Sequence, residues 1–352
     1  MMDGKLEKLD RELVALITER TKRYLEIMKE RGDAAPDLLN MDRAEAARLV
    51  ESANGGPVPN EFLVRIFTEL QGQAMSLQRP VSVAYLGPEG TFTHIALRDI
   101  FGESANAVAQ KTIPDVFNEV ERGDSDFGVV PVENSSEGAV TYTLDELLDT
   151  DLHIVSEKFL RISHSLVSLC DDVKKVKKLY SHPQPLGQCK IWLRNYLPQV
   201  EIISVNSTSK AAETASWDKF SAAIASEIAA GIYKLNVLAR GIEDSRNNFT
   251  RFLVLGRKDN PATGDDKTSI VCAIKDKPGA LYDMLRPFHE AGINMSKIES
   301  RPDKKKMWEY NFFIDFTGHR NDAAVEKALE RMRESTIFLK ILGSYPVSRY
   351  AE

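Results

Sequence analysis

Apolar residues recur at intervals of three and four from Leu6 to about Arg31. Leu6, Leu9, Leu13, Leu16, Ile17, Tyr24, Ile27 and Met28 form the stripe of a long amphipathic helix. A shorter helix is predicted after Asp42. Beyond the breaker run Asn54-Gly55-Gly56-Pro57-Val58-Pro59, the residues Phe62, Leu63, Ile66, Phe67, Leu70 and Leu77 line one side of a third helix. Residues 1–79 offer too little chain to bury so long a stripe alone, which predicts pairing with a second copy.

At Pro80 the pattern changes to short β-branched runs that alternate with helical stretches: Val81 to Leu86, Phe127 to Val132, Leu166 to Leu169, Glu201 to Val205, Ala222 to Ala225 and Thr250 to Leu255. That alternation predicts α/β sheets with ligand groups at strand ends. The polar stretch from Lys258 to Lys267, with Asn260-Pro261 and Thr263-Gly264-Asp265-Asp266, reads as a linker. After it come a strand from Ser269 to Ile274, a helix from Ala280 to Ala291, strands near Met295 to Glu299 and Tyr310 to Phe316, and a helix from Ala323 to Arg333. The order is that of a βαββαβ unit. The predicted division is therefore 1–79, 80–257, a linker at 258–266, and 267–346.

The 352 residues are enough for two or three cores, and the formal net charge of -6 argues against a nucleic-acid footprint. Neither a signal-peptide apolar region nor a bilayer-spanning run is present, so a cytoplasmic protein without a membrane partner is expected. Cys170, Cys189 and Cys272 are too widely spaced for a disulfide framework or a zinc site, and free thiols are expected.

The middle segment carries specific motifs: Gly87-Pro88-Glu89-Gly90-Thr91-Phe92, Pro131-Val132-Glu133-Asn134-Ser135, Ser181-His182-Pro183-Gln184-Pro185-Leu186-Gly187-Gln188-Cys189, Asn206-Ser207-Thr208 and Asn248-Phe249-Thr250-Arg251-Phe252. In that order and spacing they resemble prephenate dehydratase over residues 81–257. The resemblance implies two α/β lobes around a cleft, like a periplasmic binding protein with catalysis added. It also implies conversion of prephenate to phenylpyruvate, water and CO2, without metal or organic cofactor. Such a site needs donors for two carboxylates and a proton donor at the departing hydroxyl. The resemblance assigns Thr250 to that hydroxyl, and Arg251, with its planar fork, suits a substrate carboxylate. Glu133, at a strand end with Asn134, reads either as a proton donor or as a turn cap. Gly87, Gly90 and Thr91 offer close backbone approach and helix N–H groups. Ser135, Ser181, Gln188, Ser207, Thr208 and Phe252 are lining candidates, and His182 reads equally as an acid or a turn residue.

The run from Lys267 to Leu281, Gly292-Ile293-Asn294 and Glu299-Ser300-Arg301-Pro302 resemble the ACT domain of dehydratases that respond to phenylalanine. Gly279, Ala280 and Leu281 at a helix start would receive the amino acid's carboxylate, with Asn294 and the loop of Glu299, Ser300, Arg301 and Pro302 completing a site between subunits. Residues 1–79 are similar to the all-helical chorismate mutase domain of the bifunctional P-protein family. Arg20, Arg43 and Gln78 match its pattern, while Arg31 replaces a lysine, Asn40 an aspartate, Ala44 a glutamate and Ala74 a serine, and Asp3 stands in place of an arginine. Lost mutase activity and a retained dimerisation role are expected, within a homodimer or tetramer inhibited by phenylalanine. The alternatives are a still bifunctional enzyme, an arogenate dehydratase, and a non-catalytic amino-acid sensor.

Overall fold

The computed structural model describes residues 4–31, 38–245, 247–275, 277–302 and 310–348, without the side chains of Met28, Arg31, residues 38–45 and Gln78. The mutase-like positions Asp3, Arg31, Asn40, Arg43, Ala44 and Gln78 thus lie, in whole or in their side chains, outside the described residues.

Three helices lead the chain: α1 (Gly4–Arg31), α2 (Leu38–Ala53), which starts ahead of the predicted Asp42, and α3 (Asn60–Gln78). Tyr24 of α1 packs on Ala74 and Met75 of α3. The guanidinium of Arg20 lies 5.3 Å from the ring centre of Phe67, with one nitrogen buried and without a hydrogen-bond partner among the described residues. Further up α1, Leu6, Leu9, Leu13, Val14 and Leu16 are 49–64% exposed, so half the predicted stripe is left uncovered by the described residues. The other end of the unit is anchored. Glu69 accepts the Glu103 N–H at 3.2 Å, and Gly72 lies so close to the Phe101 carbonyl that a Cβ would stand 2.7 Å from it.

The first lobe follows as β1 (Ser82–Leu86), α4 (Phe92–Phe101), β2 (Asn106–Gln110), α5 (Ile113–Glu121), β3 (Phe127–Asn134), β4 (Gly138–Ala139), α6 (Thr141–Asp149) and β5 (His153–Arg161). The second comprises β6 (Ser165–Ser168), β7 (Lys178–Ser181), α7 (Pro183–Gln188), α8 (Lys190–Tyr196), β8 (Glu201–Ser204), α9 (Thr208–Ala215), β9 (Ser221–Ala225), α10 (Glu227–Ile232) and β10 (Asn236–Ala239). The chain then returns to the first lobe as β11 (Phe249–Gly256). The sheets run β2-β1-β3-β11-β5, with β4 beside β3, and β10-β6-β9-β7-β8. Helix starts are set by side-chain caps: Thr91 for α4, the Thr112–Asp115 capping box for α5, Ser207 for α9 and Ser226 for α10.

The C-terminal unit is β12 (Asp266–Ile274), α11 (Ala280–Glu290), β13 (Met295–Pro302), β14 (Tyr310–Thr317), α12 (Ala323–Ser335) and β15 (Thr336–Pro346), in the antiparallel order β13-β14-β12-β15. Alternation along β12 divides its residues between two cores. Ile270 and Cys272 pack with Met284, Phe288, Leu329 and Met332 beneath the helices. Val271 turns the other way and joins Phe313, Leu342 and Tyr345 in one cluster with Val132, Leu144, Leu147, Ile154, Leu253 and Leu255 of the first lobe. The two units therefore share a core.

The predicted linker at 258–266 is not free chain. Asn260 Nδ2 donates to the carbonyls of Val155 (2.6 Å) and Ser344 (3.2 Å), and Asp266, already in β12, accepts from the N–H groups of Thr263 and Gly264. The three cysteines are free and buried. Among the described residues no helix is long and apolar enough to cross a membrane.

The shared core depends on Gly343 of β15, where a Cβ would stand 2.1 Å from the Ile154 carbonyl oxygen of β5. Gly343→Ala should therefore force the sheets apart, costing about 1–3 kcal/mol or more and lowering the thermal unfolding midpoint. An unchanged midpoint would show that β15 and β5 do not approach this closely.

Candidate active site

Thr250 pairs with Asn134, and Arg251 with Glu133, across the antiparallel β11 and β3. Residues directly opposite share a face, and successive residues alternate, so the pairs Thr250/Asn134 and Arg251/Glu133 point to opposite sides of the sheet. The first pair faces the junction of the lobes and the second faces the C-terminal unit.

On the cleft side a hydrogen-bond chain runs in one sense. Asn134 Oδ1 accepts from the backbone N–H groups of Ser136 (2.9 Å) and Glu137 (3.1 Å), which fixes the orientation of its amide. Its Nδ2 must then donate, and does so to Thr250 Oγ1 and to Asn248 Oδ1, both at 2.8 Å. Asn248 in turn donates through Nδ2 to Gln188 Oε1 at 3.1 Å. The same oxygen lies 2.9 Å from His164 Nε2. Because Thr250 Oγ1 accepts, its own proton is left to donate outward. Two buried atoms on the chain, Gln188 Nε2 and His164 Nδ1, have no partner among the described residues. Burial, partly offset by Gln188 and Glu243, lowers the His164 pKa and keeps the ring neutral near pH 7.

The lobes close over this chain beside Gly90. Ser226 Oγ donates to the Gly90 carbonyl at 3.1 Å, and Ser209 Oγ donates to that of Glu89. Gly90 holds a left-handed φ of 82°, and a Cβ would meet Ser209 and Ala229 at 3.1–3.3 Å. The other predicted residues have local employment. Thr91 caps α4 and donates to the Leu86 carbonyl at 3.2 Å. Ser135 bonds residues 247 and 249. Ser181 donates to the His182 carbonyl at 3.0 Å, His182 is the turn residue that caps α7, and Ser207 caps α9 beside the buried Thr208. Two assignments change. A Cβ on Gly87 would meet Ala109 of β2 at 2.9 Å, so this glycine serves strand packing. Phe252 is 1% exposed within the apolar core with Val83 and Leu97, where it cannot line a cleft. Asn248, His164 and Glu243 were not singled out. Asn248 stood inside a recognised motif, and the other two gave no signal beyond being polar residues between strands.

On the opposite face Arg251 does not meet the cleft. Its guanidinium, 6% exposed, donates to Glu157 (2.8 Å), Asp315 (2.5 Å) and Tyr345 (2.9 Å). Lys267 completes the group by donating to Glu157 at 2.8 Å. The expected contact of Arg251 with a substrate carboxylate is corrected accordingly: all three guanidinium nitrogens are engaged between the two units. Glu133 is likewise drawn away, held by Lys297 Nζ at 2.6 Å, which removes it from proton donation in the cleft. Burial would raise the Asp315 pKa, but Arg251, Ser269 and Lys267 outweigh it and hold the carboxyl below its usual range.

The residues assigned to phenylalanine divide by register. Arg301 of β13 and Ala273 of β12 both pair with Asn311, so Glu299 to Pro302 and the α11 start at Gly279, Ala280 and Leu281 share one end of the sheet. Asn294 precedes β13 at the other end, where its carbonyl accepts from Thr317. Glu299 to Pro302 form an edge strand rather than a loop, and Arg301 donates to Asp145 of α6 at 2.8 Å.

Fold and site together define a two-lobed α/β enzyme that carries a C-terminal βαββαβ domain. Residues 83–260 match the family model for prephenate dehydratase, and residues 268–334 match the ACT domain. A curated protein of Aquifex aeolicus described as a bifunctional chorismate mutase/prephenate dehydratase is 47% identical over 346 residues, covering 97% of this chain and 96% of that one. Among solved structures, prephenate dehydratase from Arthrobacter aurescens in complex with L-Phe superposes with a TM-score of 0.71 at 34% identity, over 76% of this chain and 90% of that one. A quorum-quenching acylase, GqqA, gives 0.70 at 27% identity, over 76% and 98%. The chain belongs to the prephenate dehydratase family, and its reaction is the decarboxylating dehydration of prephenate to phenylpyruvate.

Replacing Arg251 by methionine would leave Glu157 and Asp315 buried without their shared cation, an expected loss of about 3–5 kcal/mol. Chemical denaturation should show that loss at neutral pH. Because the folded Asp315 pKa is depressed, its contribution is present above the ordinary aspartate range and fades as pH falls through the folded value. The deficit of Arg251→Met should therefore shrink in acid. A stable variant whose only defect is a raised KM would return Arg251 to the substrate.

Proposed function

We propose that Thr250 donates its hydroxyl proton to the departing hydroxyl of prephenate, while Asn134 holds Thr250 in the donating sense. The observation that carries this is the polarity of the chain: Asn134 Oδ1 is occupied by two backbone N–H groups, so Nδ2 faces Thr250 Oγ1. In the reaction the ring carboxylate leaves as CO2 and its bonding electrons enter the ring. The C–O bond to the hydroxyl breaks, one proton is taken up, and water departs as the ring becomes aromatic. A threonine is a weak acid, so its contribution is a hydrogen bond that strengthens in the transition state and relays a proton. Gln188 Nε2 and N–H groups at the starts of α4 and α9 are the proposed carboxylate donors, in place of Arg251.

The ACT domain binds phenylalanine and feeds back on the dehydratase. The L-Phe complex of the Arthrobacter aurescens relative supports this, as does the placement of Gly279 to Leu281 and Glu299 to Pro302 at one sheet end. Two antiparallel β13 edges, one from each copy, would bring Asn294 of one chain toward residues 279–302 of the other, making a shared site. The exposed leucines of α1 support a dimer through the helical unit as well. That unit keeps Arg20 on Phe67, and with Ala74 where the mutase pattern has serine we assign it to assembly rather than to chorismate.

Purified protein is expected to form phenylpyruvate from prephenate, more slowly when phenylalanine is present, and to leave chorismate unconsumed. Thr250→Ala should lower kcat by about 100-fold or more, with Thr250→Ser recovering most of it. Full activity in Thr250→Ala would remove Thr250 from the reaction, and rapid loss of chorismate would restore the mutase.

A further inference from the structure

The hydrogen-bond chain that ends at Thr250 has a second end, and it lies in the crossings between the lobes. His164 sits on the crossing from β5 to β6 and is 1% exposed. Its backbone is pinned on both sides: its N–H donates to Glu243 Oε2 at 2.9 Å, and its carbonyl accepts from Ile242 N at 3.0 Å on the return crossing. Ser163 Oγ donates to the other oxygen of Glu243 at 3.1 Å. Phe92 presses against the imidazole edge-on at 5.6 Å between centres. The ring can therefore neither shift nor turn freely, and its Nε2 reaches Gln188 Oε1.

The direction of that bond is determined. Asn248 Oδ1 already receives Asn134, so Asn248 Nδ2 must be the donor to Gln188. Gln188 accordingly presents its oxygen to Asn248 and His164, and the imidazole must donate from Nε2. An amide that receives two donors on its oxygen has both Nε2 hydrogens directed away, and that nitrogen is buried with no partner among the described residues. A buried unpaired donor costs free energy unless something occupies the space before it. Where the two lobes meet, the matching partner for this donor is an oxygen acceptor, and a carboxylate or keto oxygen of the substrate has that chemistry.

We infer that His164 is a positioning residue for the dehydratase, holding the Gln188 carboxamide so that its Nε2 hydrogens face the substrate. The inference rests on the dehydratase reading and adds to it a residue that need not touch prephenate. His164 acts through Gln188, and the lobe crossing thereby takes part in recognition.

Steady-state kinetics on the full chain distinguish this role from a merely structural one. His164→Asn is too short to reach Gln188, and its loss should fall mainly on KM for prephenate, raised about tenfold, the effect of one misplaced hydrogen bond. His164→Gln, whose amide nitrogen extends to the place of Nε2, should recover most of that. If His164 works through Gln188, the double variant His164→Asn/Gln188→Ala should be no worse than Gln188→Ala alone. Additive losses would overturn the inference, as would equal impairment of the Asn and Gln variants at wild-type melting temperature. Should His164→Asn not fold, His164→Phe, which keeps a planar ring in the site but has no nitrogen to donate, combined with Gln188→Ala gives the same test of additivity. A wild-type protein that makes no phenylpyruvate defeats the dehydratase reading itself, whereas an active wild type with a kinetically normal His164→Asn defeats only the role of His164.

Discussion

The buried pairing of Arg251 with Glu157 and Asp315 joins the catalytic lobe to the ACT domain, and the geometry on either side of β11 depends on it. Two cations and two carboxylates, those of Arg251, Lys267, Glu157 and Asp315, balance in charge within one interface. None of them is tolerable alone in so dry a place, so separating the units would expose an expensive set of unpaired charges and an apolar face together. The sheet of the ACT domain is thus committed to the first lobe on one face and to its own helices on the other.

The same strand carries Thr250, one residue away and facing the other way. That proximity gives the cleft and the ACT domain a common mechanical element. Lys297 with Glu133 and Arg301 with Asp145 repeat the arrangement along β13. Charged residues at the end of the chemistry-bearing strands are turned outward to hold the ACT domain, while the uncharged amides and hydroxyls are turned inward to the cleft. The inward set is ordered by a single local feature, the turn after β3, where two backbone N–H groups grip Asn134 Oδ1. From there the sense of each later hydrogen bond follows, as far as Gln188 and His164.

The helical unit stands differently in the molecule. Its α3 end is anchored on the catalytic lobe, yet the leading half of α1 presents leucines to solvent. An apolar stripe of that length marks an interaction surface, which is why the proposed assembly is placed there.

Periodicity in the sequence by itself determined the long first helix, most of the strands from Phe127 onward and the βαββαβ order, because each is a local pattern of apolar positions. Strand β5 is not legible in the same way, since His153 to Arg161 mixes charges with apolar residues, and the buried Glu157 finds its cationic partners in Arg251 of β11 and Lys267 of β12. Motifs marked Thr250, Asn134 and Gln188, but a motif does not say which way a side chain points. Arg251, adjacent to Thr250 and with the right chemistry for a carboxylate, reads from the sequence as a cleft residue, whereas strand alternation and the shared core turn it outward. His164 and Glu243 were illegible for the complementary reason: their importance arises where two crossings, distant in the chain, are brought side by side. Local pattern follows from the order of residues. The face a strand residue occupies, and the partners it meets there, follow from which sheets pack together, and only the tertiary structure decides that.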